Sequence, residues 1–131
     1  MKDYERSLSE SRSYIEMAEK QYENQVGREM PMNAVVVNCI MSMIKSVDAL
    51  MLRHRGKVNK DHSKTANELR KLYEEDLISE NFSSNIDSVR KWVVDRKTDI
   101  QYRNQKVSVK ETDRALKSAR RLLRKTEKEL N

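Results

Sequence analysis

The stretch from Asn33 to Leu52, NAVVVNCIMSMIKSVDALML, limits most sharply what this chain can fold into. It is too apolar for a surface helix. Polar residues also interrupt it too often for a membrane span, which needs roughly 18 or more predominantly apolar residues in succession. A helix at the centre of a bundle satisfies both conditions. At a helical period of about 3.6 residues, Asn38, Ser42, Lys45, Ser46 and Asp48 share one broad arc with Val35, Met41, Ala49 and Leu52. Buried polar side chains need partners. The arc therefore predicts a polar seam turned towards a neighbouring helix, a second subunit or a ligand.

Helix breakers are scarce elsewhere too: 131 residues include two glycines and one proline, and 37% are charged. These proportions predict one all-α domain, residues 1–131, with short connections. The first helix is expected from about Asp3 to Val26, with Leu8, Ile15, Ala18 and Tyr22 near one face, and Gly27 suits a left-handed cap at its end. Pro31 suits the opening of the second helix, and Gly56 its end. A third helix is expected near Asp61, followed by a polar break from Glu80 to Ser84 that contains Phe82. The fourth should start near Ser84, with Asp87 completing an N-terminal cap, and carry an Ile86, Val89, Val93, Ile100 stripe. Ser108-Val-Lys-Glu111 is a capping box opening an amphipathic last helix with Leu116, Ala119 and Leu123. The expected architecture is an antiparallel up-and-down bundle of about five helices.

The net charge of +6 is compatible with a nucleic-acid or nucleotide partner. Much of the excess lies on the last helix, in Arg114, Lys117, Arg120, Arg121, Arg124, Lys125 and Lys128, where a solvated face suited to the helix dipole is the plainer reading. Cys39 lies inside the apolar helix and is expected to be a packed, reduced thiol. A polar N-terminus and no run of spanning length predict a cytosolic chain with no membrane contact.

Arg96 is the strongest candidate for chemistry. It falls at the edge of the fourth helix's apolar stripe, in line with Trp92, Asp99 and Arg103. A half-covered guanidinium must be paired, and its fork suits a phosphate or carboxylate; an internal pair to Asp99 or Asp48 is the structural alternative. Tyr102, Arg103, Asn104, Gln105 and Lys106 follow, next to the capped start of the last helix, and helix N-termini attract anions. His54 and His62 flank the loop after the second helix, and two histidines are too few for a metal site. No nucleophilic triad spacing, HExxH pattern or glycine-rich phosphate loop is present, and no cofactor is expected.

Three segments together resemble the HEPN domain family. Asp48-Ala-Leu-Met-Leu-Arg-His-Arg-Gly56 is similar to the end of that family's second helix. Asp61-His62-Ser63, with Leu69 and Leu72, is similar to its next element. Arg96-Lys-Thr-Asp-Ile-Gln-Tyr102, followed by Val107-Ser108 and a last helix with Ala115 and Ala119, is similar to its C-terminal signature. The resemblance covers essentially the whole chain. It implies a helical bundle that dimerises, with a functional cleft near the dimer interface. Many members are metal-independent ribonucleases, often toxins paired with a small nucleotidyltransferase antitoxin, and those carry an arginine followed after four to six residues by a histidine. This chain departs from that pattern, since Gln101, Tyr102 and Arg103 occupy the positions after Arg96. Tyrosine, titrating near about 10, is a poor base at neutral pH. The resemblance thus implies a catalytically degenerate domain that binds RNA, a nucleotide or a partner protein. Arg96, Asp99, Tyr102, Arg103 and Asn104 would form the binding surface, and Asp48 would position the arginine. The alternatives are an active ribonuclease using Arg96 with Tyr102 or one of the histidines, and a structural dimerisation module assembled through the polar seam.

Overall fold

A computed structural model describes residues 1–28, 30–103 and 105–131. The elements are α1 (Asp3–Gln25), α2 (Asn33–Arg55), a 3₁₀ turn (His62–Lys64) leading into α3 (Thr65–Glu74), α4 (Ser83–Val89), a π-helical stretch (Arg90–Arg96), α5 (Lys97–Gln101) and α6 (Val109–Leu130). The backbone runs helically through α4, the π stretch and α5, which form one rod. The result is an all-α bundle.

Helix α2 is the axis of this bundle. Val35, Val36, Cys39, Ile40, Met43, Ile44, Val47, Ala49 and Leu50 are buried, packed among α1, α6 and the fourth rod. By length and apolarity α2 does qualify as a span, contrary to the sequence expectation, but most of that window is covered by protein. Its C-terminal end follows the glycine reasoning: Gly56 takes a left-handed φ of 72° and its N–H bonds Leu52 O (3.1 Å), whereas the helix opens at Asn33, two residues after Pro31.

The polar seam of α2 is filled from within the chain. Ser11 of α1 donates to Ser42 O (2.8 Å), and its hydroxyl also meets the hydroxyls of Ser42 (3.0 Å) and Ser46 (2.8 Å). Ser42 in turn donates to Ser11 O (3.0 Å). Asn38 Nδ2 donates to Gln21 Oε1 (2.7 Å), and Lys45 pairs with Glu10 (3.0 Å). Small hydroxyls let α1 and α2 approach closely while satisfying one another. From Asn38 to Ser46 the seam is thus closed within the chain.

Two local expectations change. Ser84 and Asp87 do not cap α4. Instead the Asn81 side chain accepts from Ser83 N (3.0 Å) and Ser83 Oγ (2.7 Å), an Asx turn that does the same work three residues earlier. The segment before it is not simply a polar break, because Ile78 and Phe82 are both buried in the core.

Candidate functional site

The corner around Arg96 is assembled from three directions. The π stretch turns Trp92 and Val93 inwards and packs against α2, α3 and the turn that carries His62. Such widened turns recur at functional sites. At the far end, Asn33 from the first turn of α2 donates through Nδ2 to Ile100 O (3.3 Å) and Gln105 O (2.7 Å), tying the loop after α5 to the central helix. On the third side Ser108 caps α6, its hydroxyl accepting from Glu111 N (3.1 Å).

Arg96 is gripped by this framework. Its Nη2 donates to Glu111 Oε2 (2.8 Å) and its Nη1 to Gln105 Oε1 (2.8 Å), with the side chain only 23% exposed. The partners expected from sequence, Asp99 and Asp48, are replaced. Glu111, read as the return half of the capping box, instead directs its carboxylate at the guanidinium, because a charged fork is the stronger partner. Arg96 therefore clamps the end of the fourth rod to the start of α6. In the first turn of α6, Ser108 Oγ accepts from Glu111 N, while the Glu111 carboxylate is taken by Arg96.

Asp99 pairs with Arg103 (3.4 Å), just beyond the end of α5, and Arg103 remains 75% exposed. Tyr102 is 71% exposed, with the Lys97 ammonium 6.0 Å from its ring centroid. Asn104 lies outside the described residues. The structure thus brings Arg96, Asp99, Tyr102 and Arg103 to one corner. Sequence reasoning placed Gln105 at this corner but missed Asn33, Lys97 and Glu111 there. The capping box was the one available pointer to Glu111.

Asp48 stands apart from the clamp. Burial pushes its carboxyl up to about 6, opposed by Lys45 and reinforced by Glu68 and Glu10. A carboxyl that is harder to ionise in the folded state than in the unfolded chain lends stability at acid pH. That stability is lost as pH rises from the ordinary carboxylate range through about 6. Asp48→Asn is therefore expected to be neutral near pH ~4. Near pH ~8 it should be stabilising by about 1 kcal/mol, after allowing for solvent screening of a partly exposed group. Thermal melts at both pH values check this, and an equal gain at both would contradict it.

The two histidines are separated. His54 sits at the end of α2, and burial and Arg53 lower its pKa. His62 lies in the 3₁₀ turn against the π stretch, its pKa lowered by burial and by the nearby Lys97 and Lys45. Among the described residues, no group of three or more His, Cys, Asp or Glu could hold a metal ion. Cys39 is fully buried, and burial pushes its thiol up to about 12, which leaves it inert at neutral pH.

An all-α bundle clamped at an arginine between its last two long helices is the class of protein that these features define. The chain matches the HEPN domain family over residues 4–130, essentially its whole length. It belongs to that family. A comparison with curated proteins finds no match.

Proposed function

We propose that this HEPN domain binds RNA or a nucleotide at the Tyr102–Arg103 corner without cutting it. The observation that carries the reading is Tyr102 itself: a 71% exposed ring that supports no core, with Lys97 over its face and Arg103 beside it. An exposed aromatic flanked by cations suits a base stacked on the ring and a phosphate held by the cations. Arg96 positions this surface through Glu111 and Gln105, and Asp99 orients Arg103. Membership of the family supports a nucleotide- or RNA-related role. Cleavage lacks support at this corner, because no histidine follows Arg96 at the expected distance. The reading places the protein in the cytosol as a homodimer acting beside a small nucleotidyltransferase, as in the toxin–antitoxin pairs of the family. Titrating labelled single-stranded RNA with wild-type protein and with Tyr102→Ala/Arg103→Glu tests the reading; equal binding by both would remove the corner.

A second reading keeps catalysis. The His62 turn packs on the π stretch that ends in Arg96, and burial lowers the imidazole's pKa, which favours the neutral form that a general base uses. In that reading His62→Ala abolishes RNA cleavage.

A further inference from the structure

Helix α6 carries a pattern that the corner does not use. Its exposed stripe reads Lys110, Arg114, Lys117, Arg121, Arg124, Lys128 at alternating steps of four and three, so every position along it is a cation. An ordinary solvated face mixes both signs. At a rise of about 1.5 Å per residue, the stripe extends roughly 27 Å.

This stripe borders a groove against the fourth rod, which runs antiparallel beside it. One cleft of about 300 Å³ lies between Asp87, Lys91 and Trp92 on the rod and Arg114, Lys117 and Arg121 on α6, four cations against one carboxylate. Arg121 also lines the next cleft, of about 280 Å³, with Asn85, Arg124 and Lys128. The two are therefore parts of one track that starts beside the Arg96–Glu111 clamp. Some of its cations are engaged, Lys117 with Asp113 (3.2 Å) and Lys128 with Glu80 (3.5 Å). Among the described residues, Arg114, Arg121 and Arg124 enter no ion pair, whereas Arg120, on the inner side of α6, is matched to Glu19 (2.9 Å). The structure neutralises the cation that faces α1 and leaves three of those on the groove unmatched.

A second and independent feature lies in the wall of this track. Asn85 is 4% exposed, lines the second cleft, and its Oδ1 is a buried acceptor with no donor among the described residues. An unsatisfied buried acceptor is unfavourable, and a donor arriving with a ligand would relieve it. A polyanion whose backbone also bears a hydroxyl matches both features: phosphates for the arginines, and a ribose 2′-hydroxyl for Asn85.

We propose that the seam between the fourth rod and α6 is a track for single-stranded RNA, its phosphates held by Arg114, Arg121 and Arg124 and a ribose 2′-hydroxyl donating to Asn85. The track shares with the corner reading only the choice of RNA, and it needs neither Tyr102 nor Arg103.

The test is fluorescence anisotropy with a labelled single-stranded oligoribonucleotide of mixed sequence and the oligodeoxyribonucleotide of the same sequence, across a salt series. Arg114→Glu/Arg121→Glu/Arg124→Glu alters only exposed side chains. It should weaken RNA binding by at least ten-fold and reduce the slope of log K against log salt by about 2, three single-strand contacts at about 0.7 each. Wild-type protein should favour RNA over DNA several-fold, and Asn85→Ala should erase that preference while circular dichroism shows the same helical content. Wild-type binding by the triple variant would overturn the track, as would loss confined to Tyr102→Ala/Arg103→Glu. Retention by the corner variant alongside loss by the triple variant would support the track and remove the corner instead. Competition by polyglutamate as effective as by RNA would overturn the assignment in favour of an acidic protein partner.

Discussion

Trp92→Ala is expected to lower stability by about 4 kcal/mol, the range for removing a buried indole and leaving a cavity behind. Trp92 is 1% exposed and is among the largest fully buried side chains of the molecule. It sits in the π stretch, where the widened turn lets it and Val93 both enter the core. Domains of this kind are stable by about 5–15 kcal/mol in all, so the variant would lie near the edge of folding. At roughly 4 °C per kcal/mol, the melting temperature should fall by about 15 °C. Because Trp92 is the only tryptophan, far-UV circular dichroism, not fluorescence, is the suitable probe. A loss under about 1 kcal/mol would show that the π stretch relaxes to fill the space, and that the rod is not held in place by this ring.

Tyr102→Ala/Arg103→Glu carries the largest expected effect on binding. Stacking a base on an aromatic ring contributes about 1–3 kcal/mol, and a charge-assisted contact to a phosphate about 1.5–3 kcal/mol. Losing both should weaken binding by roughly 3 kcal/mol or more, about 100-fold or greater. Both side chains are largely exposed, so helical content and melting temperature should stay near wild type. That separation of binding from stability distinguishes a ligand surface from a structural corner. An unchanged affinity would assign Tyr102 to solvent.

Long periodic segments were legible in the sequence because burial follows the helical period directly. The apolar axis of α2, the glycine end at Gly56, and the Ser108 cap all lie where the pattern put them. What escaped was partner choice. The α2 seam was visible, but its answering group was not: Ser11 occupies a core position of α1, between Leu8 and Ile15, in a sequence otherwise rich in exposed serines. The Glu111 carboxylate was visible as half of a capping box, yet its direction depends on Arg96, which the fold delivers from another helix. Asp48 was matched with Arg96 because a half-covered guanidinium needs a carboxylate, whereas packing sets it among Lys45, Glu68 and Glu10. The π stretch has no periodic signature in seven residues. The basic stripe of α6 was countable from sequence, but the wall that makes it a groove comes from α4 and the π stretch, and no local pattern announces that pairing.

We propose that this HEPN domain holds RNA and leaves it intact. The direct measurement is to incubate labelled single-stranded RNA in EDTA with wild-type protein at a concentration that saturates binding, then to resolve the RNA on a denaturing gel, with Arg96→Ala and His62→Ala alongside. The account predicts RNA that is shifted on a native gel and full-length on the denaturing one for wild type, with no difference in integrity among the three proteins. RNA cut by wild type and spared by Arg96→Ala or His62→Ala would contradict it, and would make the domain a metal-independent ribonuclease.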